Sequence, residues 1–207
     1  MVIACNTASA LALPLLKTHA PVPLLGVIQP GAEAAAAVVR RGSTALVLAT
    51  EATVASHAYV DACAGMGLKA VEKACPLFVP LVEEGWTGYG TGSDVAMQVA
   101  DIYLREALAL AAEPPSAVVL GCTHYPLLRL LLQRAVEQHM GRGVPIVDSA
   151  EATARQAARL LPHAAGPSPG PPALNFLATD SPAKFQRLGA RFLGRDLSLV
   201  EHVALED

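Results

Sequence analysis

The sequence predicts an α/β fold built on parallel sheets. Short apolar segments alternate with longer Ala-rich segments whose apolar residues recur at helical spacing. The short segments are almost continuously apolar, as in strands that helices cover on both faces. A length of 207 residues is enough for one large domain or two small ones. Together these features indicate parallel strands connected by helices.

The apolar segments place strands along the chain, and the helical segments lie between them. The predicted strands are Val2–Ala4, Leu24–Ile28, Ala45–Ala49, Ala70–Lys73, Ala117–Leu120, Val144–Val147 and Leu174–Leu177. The predicted helices are Ala8–His19, Gly31–Arg40, Ala52–Ala64, Asp94–Ala112, Leu127–His139, Ala150–Leu161 and Pro182–Leu193. Predicted N-caps, whose side chains accept hydrogen bonds from the first turn, are Ser93-Asp94, Ser149 and Asp180-Ser181.

Composition excludes several classes of function. The net charge is −3 and the 15 Lys and Arg residues are scattered singly, so no nucleic-acid partner is expected. No apolar run reaches the roughly 20 residues of a membrane span, so no membrane partner is expected. The cysteines form no C-x-x-C pair, and a chain of this size needs no disulfide. We therefore expect free thiols and a cytoplasmic location.

Two passages share one pattern, in which an apolar strand leads to a cysteine, polar residues and a helix. In the first, Asn6 and Thr7 follow Cys5, and in the second, Thr123 follows Cys122. The carboxyl ends of parallel strands form the ligand-binding edge of such sheets, so both thiols are expected there. A helix N-terminus stabilises a thiolate, and its free N–H groups suit a carboxylate ligand.

Two facing thiols suggest one type of reaction. A base on one side of a stereocentre removes a proton and an acid on the other side returns it, which is racemisation. Thiols titrate near neutrality, so one can be ionised while the other keeps its proton. A cysteine after an apolar strand also occurs as a small buried hydrophobic residue, which is the interpretation for Cys63 and Cys75. On the residues alone, both interpretations stay open for Cys5 and Cys122.

The two passages resemble the signature motifs of the aspartate/glutamate racemase superfamily, and specifically those of glutamate racemases. The motifs are Ala4-Cys5-Asn6-Thr7-Ala8-Ser9 and Gly121-Cys122-Thr123-His124-Tyr125-Pro126. Further matching segments are 26–32, 50–59, 75–83 and 178–180, together with Phe185. The resemblance therefore spans nearly the whole chain.

The resemblance implies two related parallel-sheet α/β domains with the active site between them and one catalytic cysteine from each. It implies cofactor-independent interconversion of L- and D-glutamate, which supplies D-glutamate for bacterial peptidoglycan. Cys5 would deprotonate D-glutamate and Cys122 L-glutamate, each acting as the acid in the reverse direction. The partner is then a small molecule, glutamate, and a homodimer is allowed.

The resemblance also assigns roles to residues around the cysteines. Substrate-binding roles fall on Asn6, Thr7, Thr123 and His124. Supporting roles fall on Glu83 and Thr53. Without the resemblance, His124 is equally a capping or core histidine, and Glu83 is a surface carboxylate.

This sequence departs from the family before the first cysteine. Family members carry an Asp-Ser-Gly and a Pro-Tyr-Gly motif there, and neither is present. We therefore expect a first domain that is incomplete at its N-terminus, consisting of residues 1–26 and 144–207. Residues 27–143 are the expected second domain. Weak or absent activity and poor solubility of this chain follow as expectations.

Alternative functions compete with this prediction. Aspartate or hydantoin racemases tend to carry an acidic residue where His124 stands, so His124 favours glutamate. A cysteine hydrolase needs a separate histidine base, whereas His124 lies in the same turn as Cys122. A pyridoxal-phosphate racemase is disfavoured, because none of the lysines lies in a recognisable cofactor context. A truncated, inactive chain that acts only as a binding module is the remaining alternative.

Overall fold

The computed structural model describes residues 1–87, 90, 92–161 and 173–205. The chain divides into two compact units, Met1–Leu161 and Pro162–Asp207. The strands of the first unit are β1 (Val2–Ile3), β2 (Leu25–Gly26), β3 (Thr44–Ala49), β4 (Lys69–Ala74), β5 (Ala117–Gly121) and β6 (Ile146–Asp148). Its α-helices are α1 (Asn6–Leu11), α2 (Leu13–His19), α3 (Ile28–Val38), α4 (Glu51–Ala55), α5 (Ala58–Gly65), α6 (Phe78–Glu84), α7 (Ser93–Leu110), α8 (Arg129–Met140) and α9 (Ser149–Leu160), and a 3₁₀ helix spans Tyr125–Leu128.

A four-stranded parallel sheet in the order β4-β3-β5-β6 forms the centre of the first unit. Every residue of β3 and β5 is buried. Successive side chains of a strand point to opposite faces, so β3 places Leu46 and Leu48 in one core cluster and Val47 in another. Both faces of the sheet are therefore covered, which explains the continuous apolar pattern of these strands.

The register of the sheet brings three strand ends to the same level. Ala49 at the end of β3 is opposite Ala74 of β4 and Gly121 of β5. The residues that follow are Thr50, Cys75 and Cys122. This edge of the sheet therefore carries one of the two cysteine motifs.

The first cysteine motif lies beside a smaller parallel pair, β1 and β2, in which Val2 is opposite Leu25. The second unit contains another parallel pair, β7 (Phe176–Ala178) and β8 (Val200–His202), with helix α10 (Pro182–Leu193) between them in the chain. In this unit, Ala178, Leu197 and Val200 form a small buried cluster. The predicted α/β class with parallel sheets is confirmed.

Two helices that the sequence predicted as continuous are each interrupted. The predicted helix Ala8–His19 is two helices, because Pro14 at the start of α2 has no N–H to bond to the preceding turn. The predicted helix Ala52–Ala64 is also two helices. His57 between them adopts the left-handed conformation, with φ of 54°.

Other elements differ at their ends or were not predicted. Ile28 begins α3 and is not part of the preceding strand. The N-cap of α9 is Asp148 rather than Ser149, since its carboxylate accepts a hydrogen bond from Ala150 N at 2.8 Å. The N-cap of α7 is Gly92 rather than Ser93 or Asp94. Ser181 is the N-cap of α10, but its side chain makes no capping hydrogen bond. Helix α6 and strand β8 were missed, because both are short and show no clear hydrophobic period.

The expected division into residues 1–26 plus 144–207 and residues 27–143 stays a prediction. The boundary between the two compact units falls after Leu161 in the chain. Strand β6 pairs with β5 and extends the four-stranded sheet beyond residue 143. Within the described ranges, no helix is both long enough and apolar enough to cross a membrane.

Candidate active site

Cys5 lies at the start of α1, where the chain leaves β1. It is the N-cap of the helix, and its Sγ accepts a hydrogen bond from Ala8 N at 3.5 Å. The residue is exposed to solvent. The thiol therefore lies at a helix N-terminus, accessible to a reagent or substrate.

Asn6 follows Cys5 and is buried, with 2% of its surface exposed. Its Oδ1 accepts a hydrogen bond of 2.7 Å from the hydroxyl of Tyr59 in α5. Nearby, the Ser9 hydroxyl donates to Ile3 O at 2.8 Å and accepts from Val27 N at 3.2 Å. These bonds fix the first turn of α1 against both small strands and against α5.

Three threonine hydroxyls form a triangle between α1 and α4. The Thr7 Oγ1 lies 2.9 Å from that of Thr50 and 3.1 Å from that of Thr53, and the latter two are 3.0 Å apart. Thr50 also caps α4 by accepting a hydrogen bond from Thr53 N at 3.3 Å. The triangle joins the turn after Cys5 to the end of β3, the strand beside the one that carries Cys122.

Cys122 follows β5 and is 6% exposed. Burial raises the pKa of its thiol, whereas hydrogen bonds from the His124 N–H, the Thr123 side chain and the Tyr125 N–H lower it. A negative charge on Cys5 raises the pKa of Cys122 as well. The two thiols therefore lie within electrostatic reach of each other.

The turn after Cys122 contains a short polar chain that ends on α6. Thr123 Oγ1 lies 3.3 Å from His124 Nδ1, and His124 Nε2 lies 3.6 Å from Glu83 Oε1. About a quarter of each of these two charged side chains is exposed. The pair is an ion pair when the imidazole is protonated.

The predicted site residues thus fall into two bonded groups. Beside Cys5, Thr7 bonds to Thr53 and Asn6 bonds to Tyr59. Beside Cys122, Thr123, His124 and Glu83 form one connected chain. The electrostatic interaction between the two thiols joins the groups. The same arrangement contains Thr50, Tyr59 and Tyr125, which lie in the matching segments of the sequence but were given no role there.

Tyr125 connects the second cysteine turn to two neighbouring strands. Its buried hydroxyl donates to Cys75 O at 2.8 Å and to Ala49 O at 3.1 Å. The turn after β5 is thereby held against the ends of β3 and β4. The signal in the sequence was a tyrosine three residues after the cysteine, but its partners are 50 and 76 residues away.

The other two cysteines are buried. Burial raises the pKa of Cys63 to about 11, and the carboxylate of Glu72 contributes to the rise. Burial also raises the pKa of Cys75, and negative charge on Cys122 adds to this effect. Among the residues that the structure describes, no three His, Cys, Asp or Glu side chains are grouped so that they could hold a metal ion.

Known proteins resemble the chain along nearly all of its length. The family of Asp/Glu/hydantoin racemases matches residues 1–157. A glutamate racemase of Koribacter versatilis is 46% identical over 228 aligned residues, which cover 99% of this chain and 75% of that protein.

Solved structures show the same similarity. A glutamate racemase from Bacillus anthracis superposes with a TM-score of 0.83 at 33% identity, covering 99% of this chain and 73% of that one. A glutamate racemase from Francisella tularensis, solved in complex with D-glutamate, has a TM-score of 0.76 at 28% identity and covers 99% and 73%.

Proposed function

The chain belongs to the Asp/Glu/hydantoin racemase family, and we propose that it interconverts L- and D-glutamate with Cys5 and Cys122 as the two proton-transferring groups. The single observation that carries the proposal is the 2.9 Å contact between the Thr7 and Thr50 hydroxyls, which holds the turn after Cys5 at the sheet edge that carries Cys122. Each thiol follows a parallel strand, one exposed and one buried. The complex of the Francisella tularensis racemase with D-glutamate supports glutamate as the substrate.

The interaction between the two thiols suits a reaction that needs one base and one acid. A thiolate at Cys5 raises the pKa of Cys122, so ionisation of one thiol opposes ionisation of the other. A state with two thiolates is thereby disfavoured, so a thiolate on one side of the substrate leaves the thiol on the other side protonated. Such a pair can remove a proton from one face of the substrate and supply a proton to the other.

The proposed reaction proceeds in two proton transfers. The Cys5 thiolate removes the α-proton of D-glutamate, and the electron pair of the broken C–H bond moves into the α-carboxylate. The Cys122 thiol then protonates Cα from the opposite face, which yields L-glutamate and a Cys122 thiolate. The reverse reaction starts with the Cys122 thiolate and L-glutamate, and neither direction consumes a cofactor.

Polar groups beside the thiols suit an amino-acid substrate. We assign substrate contacts to Asn6, Thr7, Thr123 and His124, whose donors can bind carboxylate oxygens and stabilise the charge that develops on them. Thr53 supports Thr7 through the hydroxyl triangle, and Glu83 holds the imidazole of His124. The proposed role of the reaction is to supply D-glutamate for peptidoglycan in the bacterial cytoplasm.

Solvent exchange at Cα tests this function. The chain is incubated in D2O with L-glutamate, D-glutamate or L-aspartate, and deuterium at Cα is followed by NMR. We expect slow but detectable exchange into both glutamate enantiomers, in keeping with the weak activity expected from the sequence. Exchange should be lost in Cys5→Ala/Cys122→Ala and retained in the control Cys63→Ala. Exchange into aspartate in preference to glutamate would favour the other racemase specificity, and no exchange into any of them would contradict the activity for this chain.

A further inference from the structure

Tyr59 occupies a slot that two glycines leave open. Its side chain is wholly buried in α5. A Cβ at Gly31 would lie 3.1 Å from the Tyr59 hydroxyl oxygen, and a Cβ at Gly121 would lie 3.1 Å from Tyr59 Cε2. Both distances are shorter than ordinary van der Waals contact, so a side chain at either glycine would crowd the phenol. One of these segments leads directly into Cys122.

The Tyr59 hydroxyl reaches the other cysteine turn. It donates a hydrogen bond of 2.7 Å to Asn6 Oδ1, although 53 residues separate the two positions. Burial raises the pKa of Tyr59, and a hydrogen bond with the Ser149 side chain offsets part of that rise. The phenol therefore keeps its proton at neutral pH and remains available as a donor.

The hydrogen bond leaves the other end of the Asn6 carboxamide unpaired. Because Oδ1 accepts from Tyr59, Nδ2 points away from the phenol. Nδ2 is buried and has no hydrogen-bond partner in the described part of the chain. A buried amide N–H is destabilising unless an acceptor is supplied, and the carboxylate of an amino acid is such an acceptor.

We infer that Tyr59 is a positioning residue, whose hydroxyl holds the Asn6 carboxamide so that Nδ2 faces an acceptor oxygen of the substrate. The inference rests on the proposed racemase function. Without the hydroxyl, the carboxamide is free to turn over and present Oδ1 instead. An oxygen in that place repels a carboxylate and cannot donate to it.

Tyr59→Phe in the full chain tests the inference, because it removes the hydroxyl and keeps the ring. Two quantities are measured, glutamate affinity by calorimetry and the rate of Cα exchange in D2O. We expect an approximately ten-fold or greater loss of exchange rate at low substrate concentration. Residues that act as a unit are not additive, so Tyr59→Phe should cause little further loss in an Asn6→Ala background.

Tyr103→Phe is the matched control. Like Tyr59, Tyr103 is a buried residue whose hydroxyl is hydrogen-bonded. Its hydroxyl accepts a hydrogen bond from Leu77 N at 3.1 Å. Both variants should lower the melting temperature, whereas only Tyr59→Phe should slow exchange. Equal exchange in Tyr59→Phe and the wild type, or the same fold-loss with and without Asn6, would overturn the positioning role.

A readout independent of activity separates this inference from the proposed function. In ¹⁵N-labelled protein, the Asn6 side-chain NH2 resonance should shift in Tyr59→Phe and stay in place in Tyr103→Phe. A wild-type chain that neither binds nor exchanges glutamate would contradict the proposed function. An Asn6 resonance that Tyr59→Phe leaves unchanged would overturn the positioning role whether or not glutamate binds.

Discussion

Thr7 and Thr50 share a hydrogen bond of 2.9 Å between their hydroxyl oxygens, although 43 residues separate them. Thr7 belongs to the turn that carries Cys5, and Thr50 follows β3, the strand beside β5. Thr53 completes the triangle from the buried side. This contact connects the small β1–β2 pair to the large sheet at the edge where Cys122 lies.

A double-mutant cycle measures the strength of this connection. Valine replaces threonine with nearly the same shape and removes the hydroxyl, so Thr7→Val and Thr50→Val each lose the shared bond. We expect a coupling of about 0.5–1.5 kcal/mol between them in urea unfolding. Thr18→Val, at an exposed site on α2, is the control partner and should be additive with Thr50→Val. Additivity of Thr7→Val and Thr50→Val would contradict the assigned contact.

An alanine substitution at a glycine that contacts Tyr59 and one at a glycine that does not should differ in their effect on stability. Gly31→Ala places a methyl group 3.1 Å from the Tyr59 hydroxyl and 3.2 Å from Ser149 Cβ. We expect it to lower the free energy of unfolding by about 1–3 kcal/mol, because it overpacks a closed site. Gly65→Ala at the end of α5 meets nothing within 4 Å and should be neutral or stabilising by up to about 1 kcal/mol. A Gly31→Ala variant with an unchanged free energy of unfolding would contradict close packing of Tyr59 against Gly31.

Cys63 should make the protein less stable at alkaline pH. Its pKa in the folded chain is about 11, whereas an unfolded cysteine ionises near pH ~8.5. Above that pH the unfolded state has lost a proton that the folded state keeps, so the free energy of unfolding falls as pH rises. The loss for this one thiol between pH 8 and pH 10 is about 2 kcal/mol.

Urea unfolding of the wild type and Cys63→Ala at these two pH values checks this contribution. Other buried thiols affect both proteins alike, so the difference between the two proteins isolates Cys63. The alanine variant should lose about 2 kcal/mol less than the wild type on going from pH 8 to pH 10. The same loss in both proteins would mean that the Cys63 thiol ionises as easily when folded as when unfolded.

The sequence was sufficient to predict the central sheet because its two inner strands are buried along their whole length. β3 and β5 are buried on both faces, so a continuous apolar run identifies them without reference to the rest of the chain. The cysteine turns were identified for a similar reason, since each motif is contiguous. Of the two helix breaks, the one at Ala12 has a local signal in Pro14 that the helical pattern concealed, whereas the left-handed His57 has no glycine or proline beside it to mark the break.

The connections within the candidate site could not be read from local patterns. Tyr59 and Asn6 are far apart in sequence, and nothing near Tyr59 indicates that its hydroxyl bonds a residue beside Cys5. Tyr125 was visible in the second motif, yet its carbonyl partners follow from the register of β3, β4 and β5. Contacts of this kind require the assembled sheet, because each partner lies at the end of a different strand.

Stereospecific exchange in Cys5→Ser and Cys122→Ser tests the two-thiol mechanism most directly. A serine hydroxyl ionises far less readily than a thiol, so each variant loses the base on one face of the substrate. The initial rate of Cα deuterium exchange is measured separately from D-glutamate and from L-glutamate. Cys5→Ser should slow exchange from D-glutamate more than from L-glutamate, and Cys122→Ser should show the opposite preference. Wild-type rates in either variant, or the same ratio of the two rates in both, would contradict the assignment of one thiol to each enantiomer.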